Sequence, residues 1–206
     1  MIRPMKTDSP ARTGRPRGFD ADDALERAIR VFWAQGFDGA SLADLTKAMG
    51  ITRTSMYAAF GNKDELFRLA LERYTEDTAE YRARTVQLPT AREVADAFLA
   101  GVVHASTRPG HPTGCLGVQG ALAAGATART ARDALVAWRE AGVSLLIERF
   151  QQAHDEGDLP PDTDPALLAR YLMTVANGIA VQASTGAARE ELQQVADAAL
   201  RSWPPV

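Results

Sequence analysis

One stretch, Ser41–Phe60 (SLADLTKAMGITRTSMYAAF), constrains this chain more than any other. Ser41 is placed to cap a helix, and Asp44, three residues on, puts a carboxylate at the positive end of the helix dipole. Leu42, Leu45 and Met49 recur at helical spacing and give that helix one apolar face. Gly50 suits the left-handed conformation in which helices commonly stop. Thr52 then caps a second helix whose apolar residues, Met56 and Phe60, lie four apart. Arg53, Thr54, Ser55 and Tyr57 occupy its other face. A buried brace followed by a helix with a polar edge near its N-terminus has the form of a helix-turn-helix. Two ordinary core helices share the same apolar spacing, so the flanking sequence has to decide.

Before this stretch, Asp20 is a cap for an earlier helix with Leu25, Ala28, Ile29, Phe32 and Trp33 on its buried face and Gly36 as its stop. After it, Gly61 breaks the second helix, and Asn62 with Glu65 has the spacing of a cap and an acidic third position. Lys63 falls at the start of the next helix, where free N–H groups and the dipole favour a phosphate. That helix carries Leu66, Leu69, Ala70 and Tyr74 on one side and is expected to run towards Arg84. Residues 1–18 hold Pro and Gly but no apolar periodicity, and are expected to form a flexible arm. Over residues 1–19, Arg3, Lys6, Arg12, Arg15 and Arg17 face only Asp8, a balance of +4; the whole chain carries −3, so the remainder carries −7. A cationic arm on an acidic body fits a molecule that meets phosphate at one end.

Residues 14–74 closely resemble the DNA-binding segment of TetR-type transcriptional repressors. The match runs through Gly14-Arg15-Pro16-Arg17, the Phe37-to-Ser41 turn, Met49-Gly50-Ile51-Thr52, Met56-Tyr57, Phe60, Lys63 and Leu66. The resemblance implies an all-α protein with a three-helix helix-turn-helix head and a C-terminal helical domain that dimerises and binds a small inducer. It divides the chain into the arm (1–18), the DNA-binding head (19–66) and the ligand-binding and dimerisation domain (67–206). It implies that Arg53, Thr54 and Ser55, following the Thr52 cap, face base edges. It likewise implies that Ser41, Tyr57 and Lys63 hold phosphates and that the arm, with Arg15 and Arg17, lies along a groove. Ala59 departs from the histidine or tyrosine that members often carry there, which shifts the backbone register onto Tyr57 and Lys63.

The rest of the chain matches in layout. Thr90 caps a helix with Val94, Phe98, Val102 and His104 expected inward. Arg108–Gly114 is a loop rich in breakers, and Cys115-Leu116-Gly117 opens a short helix; the Gly114-Cys115-Leu116 opening resembles one that recurs in one branch of the family. A long helix is expected from Thr127 to Glu156. Another starts at Asp164-Pro165, cap and first helical residue, and reaches Thr185. It carries Ala176, Ala180 and Ser184 four apart, a stripe that admits a close helix. The last helix spans Ala188 to Trp203, and the last two helices are expected to pair two copies as a homodimer.

Catalysis is not expected. His104, His111 and His154 are scattered, and no glycine loop follows a strand. No cofactor and no metal is expected, since one thiol and scattered imidazoles fall short of a structural zinc set. Cys115 keeps three readings open: a small hydrophobe lining a contact, a thiol activated at a helix N-terminus as a redox or electrophile sensor, or a soft-metal ligand for copper. Candidate inducer contacts are Phe98, Cys115, Gln119, Trp138, Tyr171, Met173 and Asn177. The expected partners are duplex operator DNA, a second copy of the chain and an unidentified inducer; a helical interaction module without DNA is the remote alternative. No apolar run approaches the ~18 residues of a membrane span, and a cytoplasmic location is expected from the lone cysteine and the lack of a leader pattern.

Overall fold

The computed structural model describes residues 18–122, 129–201 and 203–204, so the basic arm with Arg15 and Arg17 lies outside the described residues. Among the described residues the chain is all-α, with nine helices. Local capping chemistry sets most of their starts. α1 (Ala21–Gly39) begins where the Asp20 carboxylate accepts the N–H groups of Asp22 and Asp23 at 2.9 and 3.1 Å. Gly36, at φ 70° and ψ 176°, breaks it, and the chain resumes a single helical turn before Ala40. α2 (Leu42–Met49) opens with a reciprocal box: Asp44 N–H donates to Ser41 Oγ at 3.1 Å, and Ser41 N–H donates to Asp44 Oδ2 at 3.3 Å. Gly50 ends it in the left-handed region, at φ 70° and ψ 28°.

α3 (Arg53–Phe60) is capped by Thr52, whose Oγ1 accepts the Ser55 N–H at 3.1 Å. α4 (Lys63–Thr85) starts at Asn62, which accepts the Glu65 N–H at 2.9 Å. α5 (Ala91–Ser106) has a second reciprocal box, between Thr90 and Glu93. α6 (Leu116–Leu122) and α7 (Arg129–Asp155) follow. α8 (Pro165–Ser184) takes Asp164 as its cap, and α9 (Arg189–Arg201) closes the fold.

Two hydrophobic cores result. The first joins α1, α2 and α3 to the start of α4, and also takes in Leu116, Ala131 and Leu135. At its centre the rings of Phe32 and Phe67 meet edge to face at 5.1 Å, and those of Phe37 and Phe67 at 5.3 Å. Phe67, Ala70 and Leu71 belong to this core, so α4 runs without interruption through position 66, where the head was expected to end. The second core is built by α5, α7, α8 and α9 around Leu99, Phe150, Leu172 and Ile179. Arg149, buried on α7, ties that helix to the α4–α5 connection by donating to the Leu88 and Pro89 carbonyls at 2.9 and 3.0 Å.

Two packing expectations are corrected. His104 is exposed rather than inward, since Leu99 and Val103 take the core side of α5. The small stripe of α8 also faces into its own chain. Ala176 and Ala180 are buried, and the Ala180 carbonyl lies 2.9 Å from where a Cβ of Gly114 would stand, so the close neighbour is the loop leading into α6. The outer side of α8 and α9 instead exposes Leu167, Val181 and Val195.

Because Phe67 is fully buried at the point where α1 meets α4, Phe67→Ala should cost about 3–5 kcal/mol. Urea denaturation followed by far-UV circular dichroism should show a lowered midpoint with little change in slope.

Candidate nucleic-acid interface and ligand cavity

The exposed edge of α3 is built by its own sequence pattern. Met56 and Phe60 are buried in the head, which turns Arg53, Thr54 and Tyr57 outward; Tyr57 is 49% exposed. Arg53 and Thr54 make no side-chain hydrogen bond to another described residue, so both are free to meet a partner. Ser55 differs. It is half-buried, and its Oγ lies 3.0 Å from Thr52 Oγ1, so the two hydroxyls already satisfy one another. Ser41 shares its hydroxyl with Asp44 at 2.5 Å at the start of α2. Lys63 holds its ammonium 4.5 Å from the centroid of the Phe37 ring. Burial lowers its pKa from the ordinary lysine value, against the raising influence of Asp38 and Asp64. An acceptor arriving at this corner meets a positive charge already fixed over an aromatic face.

The second feature is a cavity of about 160 Å³ where the two cores meet. Tyr74 and Trp138, which pack against the first core, form one side, and Phe98, Val102 and Met173, which pack against the second, form the other. Each wall is anchored. Trp138 Nε1 donates to Thr75 Oγ1 at 2.9 Å, and the Tyr74 hydroxyl donates to the Cys115 sulfur at 3.4 Å. Burial pushes the Tyr74 phenol well above its ordinary pKa, with Cys115 adding to the shift. The Tyr81 hydroxyl is held by the Ala97 carbonyl. Gly101 and Gly117 make room for these rings, since a Cβ on either would collide with Tyr81 or Trp138 respectively.

Of the inducer candidates, Phe98, Cys115, Trp138, Met173 and Asn177 line the cavity. Gln119 and Tyr171 stand outside its lining. Gln119 turns back to donate to the Thr113 carbonyl at 3.0 Å, and Tyr171 leans on α9 with its hydroxyl 3.5 Å from the Ala199 carbonyl. Tyr74, Tyr81, Arg82 and Arg139 line the cavity without having been singled out in the sequence. The only prior signal was negative: neither arginine has a carboxylate four residues away on its helix. Among the described residues no three His, Cys, Asp or Glu side chains gather as a metal site, and no helix is long and apolar enough to cross a membrane.

A capped helical pair offering a polar-edged second helix, joined by one continuous helix to an α-helical body with an internal cavity, defines a helix-turn-helix transcription regulator. Comparison with known proteins gives its family. Residues 24–70 match the model of bacterial regulatory proteins of the tetR family, and residues 91–199 match the tetracyclin repressor-like C-terminal domain. The HTH-type transcriptional repressor ComR of Escherichia coli is 33% identical over 93% of this chain and 92% of its own length. The regulator YezE of Bacillus subtilis is 31% identical over 91% and 97%. A cysteine-substituted form of the TetR family regulator CifR, solved in complex with 26-base-pair operator DNA, is 44% identical, with a TM-score of 0.88 over 93% of this chain and 100% of that one. The chain belongs to the TetR family: it is a transcription regulator and not an enzyme, and the reading as a helical module without DNA is set aside.

Since Gly117 leaves room for the Trp138 ring, Gly117→Ala should displace the indole, strain its bond to Thr75 and cost about 1–3 kcal/mol. A lower thermal midpoint together with a shifted tryptophan emission maximum checks this.

Proposed function

We propose that the protein is a homodimeric repressor that binds a near-palindromic operator and releases it when a small molecule enters the cavity. The observation that carries this reading is the exposed Arg53 and Thr54, without a side-chain hydrogen bond among the described residues, beside a Thr52 cap on a helix whose other face is locked into the head. Residues 19–66 act as the head, residues 67–206 as the ligand-binding and dimerising body, and residues 1–18 as the arm. Arg53 can take both acceptors of a guanine in the major groove. Thr54 adds a second base contact, and Ser55, tied to Thr52, a weaker one. Ser41, Tyr57 and Lys63 hold backbone phosphates, and Arg15 and Arg17 follow the adjoining groove. The operator complex of the CifR relative supports DNA binding in general.

Pairing through α8 and α9, whose outer faces expose Leu167, Val181 and Val195, would cover apolar surface that a lone subunit leaves in water. Two heads then stand about one DNA turn apart, ~34–36 Å. Phe98, Cys115, Trp138, Met173 and Asn177 supply inducer contacts from the cavity wall. Release follows if the ligand favours a head spacing that DNA does not; couplings of this kind are typically ~1–3 kcal/mol. The regulator works where its DNA is, in the cytoplasm.

A second reading, with Cys115 as a thiol switch, is favoured by one observation. The sulfur lies on the cavity wall and accepts a hydrogen bond from Tyr74, whose ring stacks edge to face on Trp33 of the head. Oxidation or alkylation there would break the bond and move Tyr74.

Arg53→Ala should weaken operator binding by roughly 1–3 kcal/mol and relax one base position per half-site, whereas Lys63→Ala should weaken all sequences alike and flatten the salt dependence. Titrations on operator and random duplexes at two ionic strengths separate them, and equal losses on both duplexes for Arg53→Ala would reject the base-reading role. Cys115→Ser should bind the operator normally and, if the thiol is the switch, stay bound when oxidant releases the native protein.

A further inference from the structure

If the cavity is the inducer site proposed above, its wall narrows what the inducer can be. Its volume of about 160 Å³ is close to the ~150 Å³ at which an engineered apolar cavity accepts benzene. The apolar body of a ligand is therefore one ring or a short branched chain. No aspartate or glutamate lines this cavity among the described residues, but two arginines do: Arg82 from α4 and Arg139 from α7, both half-buried.

Some arginines of α1 and α4 are neutralised by a carboxylate one turn away. Arg27 pairs with Asp23 at 2.6 Å, Arg68 with Glu72 at 2.5 Å and Arg84 with Glu80 at 3.4 Å, each along its own helix. Four residues either side of Arg82 stand Thr78 and Val86, and either side of Arg139 stand Leu135 and Val143. Neither guanidinium has an ion pair among the described residues. A guanidinium does not deprotonate in a protein, and holding it part-way out of water without a counterion costs free energy. Arg82 shares the cavity lining with Tyr74, and its charge pulls the Tyr74 phenol down against the larger upward effects of burial and Cys115. Arg139 also borders a shallow groove with Gly178 and Val181 on the outer side of α8, so it stands at the rim.

We propose that the cavity takes a compact organic anion, a monocarboxylate on a single ring or short branched chain, with its oxygens turned to Arg82 and Arg139 and its body against Phe98, Trp138 and Met173. A carboxylate accepts two parallel N–H bonds from a guanidinium, which fixes orientation as well as charge. A neutral compound of the same shape lacks those bonds, and a cation is repelled by both arginines.

The test titrates the full-length protein with benzoate, benzamide and benzylammonium, followed by tryptophan fluorescence and thermal shift. Benzoate should bind roughly tenfold to a hundredfold tighter than benzamide, and benzylammonium should not bind. Arg82→Gln and Arg139→Gln should each bring benzoate affinity towards that of benzamide, with circular dichroism confirming that the variants fold. The native ligand series stands without them. Benzoate that binds no better than benzamide, or not at all at millimolar concentration, overturns the proposal, as does undiminished benzoate affinity in both folded variants. The regulator reading fails by a different measurement, made with no compound present: a native protein that ignores operator DNA.

Discussion

The edge-to-face contact between Trp33 and Tyr74, with ring centroids 5.0 Å apart, is where the head of this protein touches the wall of its cavity. Trp33 belongs to α1, which braces α2, and Tyr74 belongs to α4, which also carries Phe67 into the head core. The Trp33 indole N–H is buried and has no hydrogen-bond partner among the described residues, so its ring packing against Tyr74 and His111 helps to orient it. On its far side the Tyr74 ring lies 6.3 Å from that of Trp138, and its hydroxyl meets Cys115. Any change in cavity shape that moves Tyr74 is therefore felt directly by α1. Close-packed interiors have few intermediate arrangements, which is why a small displacement at such a seam can become a discrete change in head orientation.

The head depends on its surroundings for a second reason. α2 and α3 are eight residues each, far below the length at which an isolated helix is stable in water. Caps at Ser41 and Thr52 set where they begin, but packing of Leu45, Met49, Met56 and Phe60 against α1 and α4 holds them. Rigid burial on one side gives α3 a fixed outer edge, and a fixed edge is what discrimination between bases requires.

Much of the head was legible because its signals are local. Asp20, Ser41, Thr52, Asn62, Thr90 and Asp164 each bond to the backbone within three residues, and Gly36, Gly50 and Gly61 take positive φ where the chain turns. Local chemistry of this sort does not depend on the rest of the fold. The cavity was less legible. Tyr171 and Gln119 are apolar-facing or polar residues of the right type, yet a rotation about the helix axis assigns one to α9 and the other to its own loop. The stripe of Ala176 and Ala180 was visible, but whether it received a second subunit or the loop before α6 turned on how α8 sits against α5 and α7.

By itself, then, the order of residues determined the helices, their ends, the polar edge of α3 and the family, because each rests on contacts between near neighbours along the chain. The tertiary structure decided the cavity, the two arginines in its lining and the aromatic link from Tyr74 to Trp33. Those depend on crossing angles between helices far apart in the chain, and helical periodicity says which residues share a face but not what that face will meet.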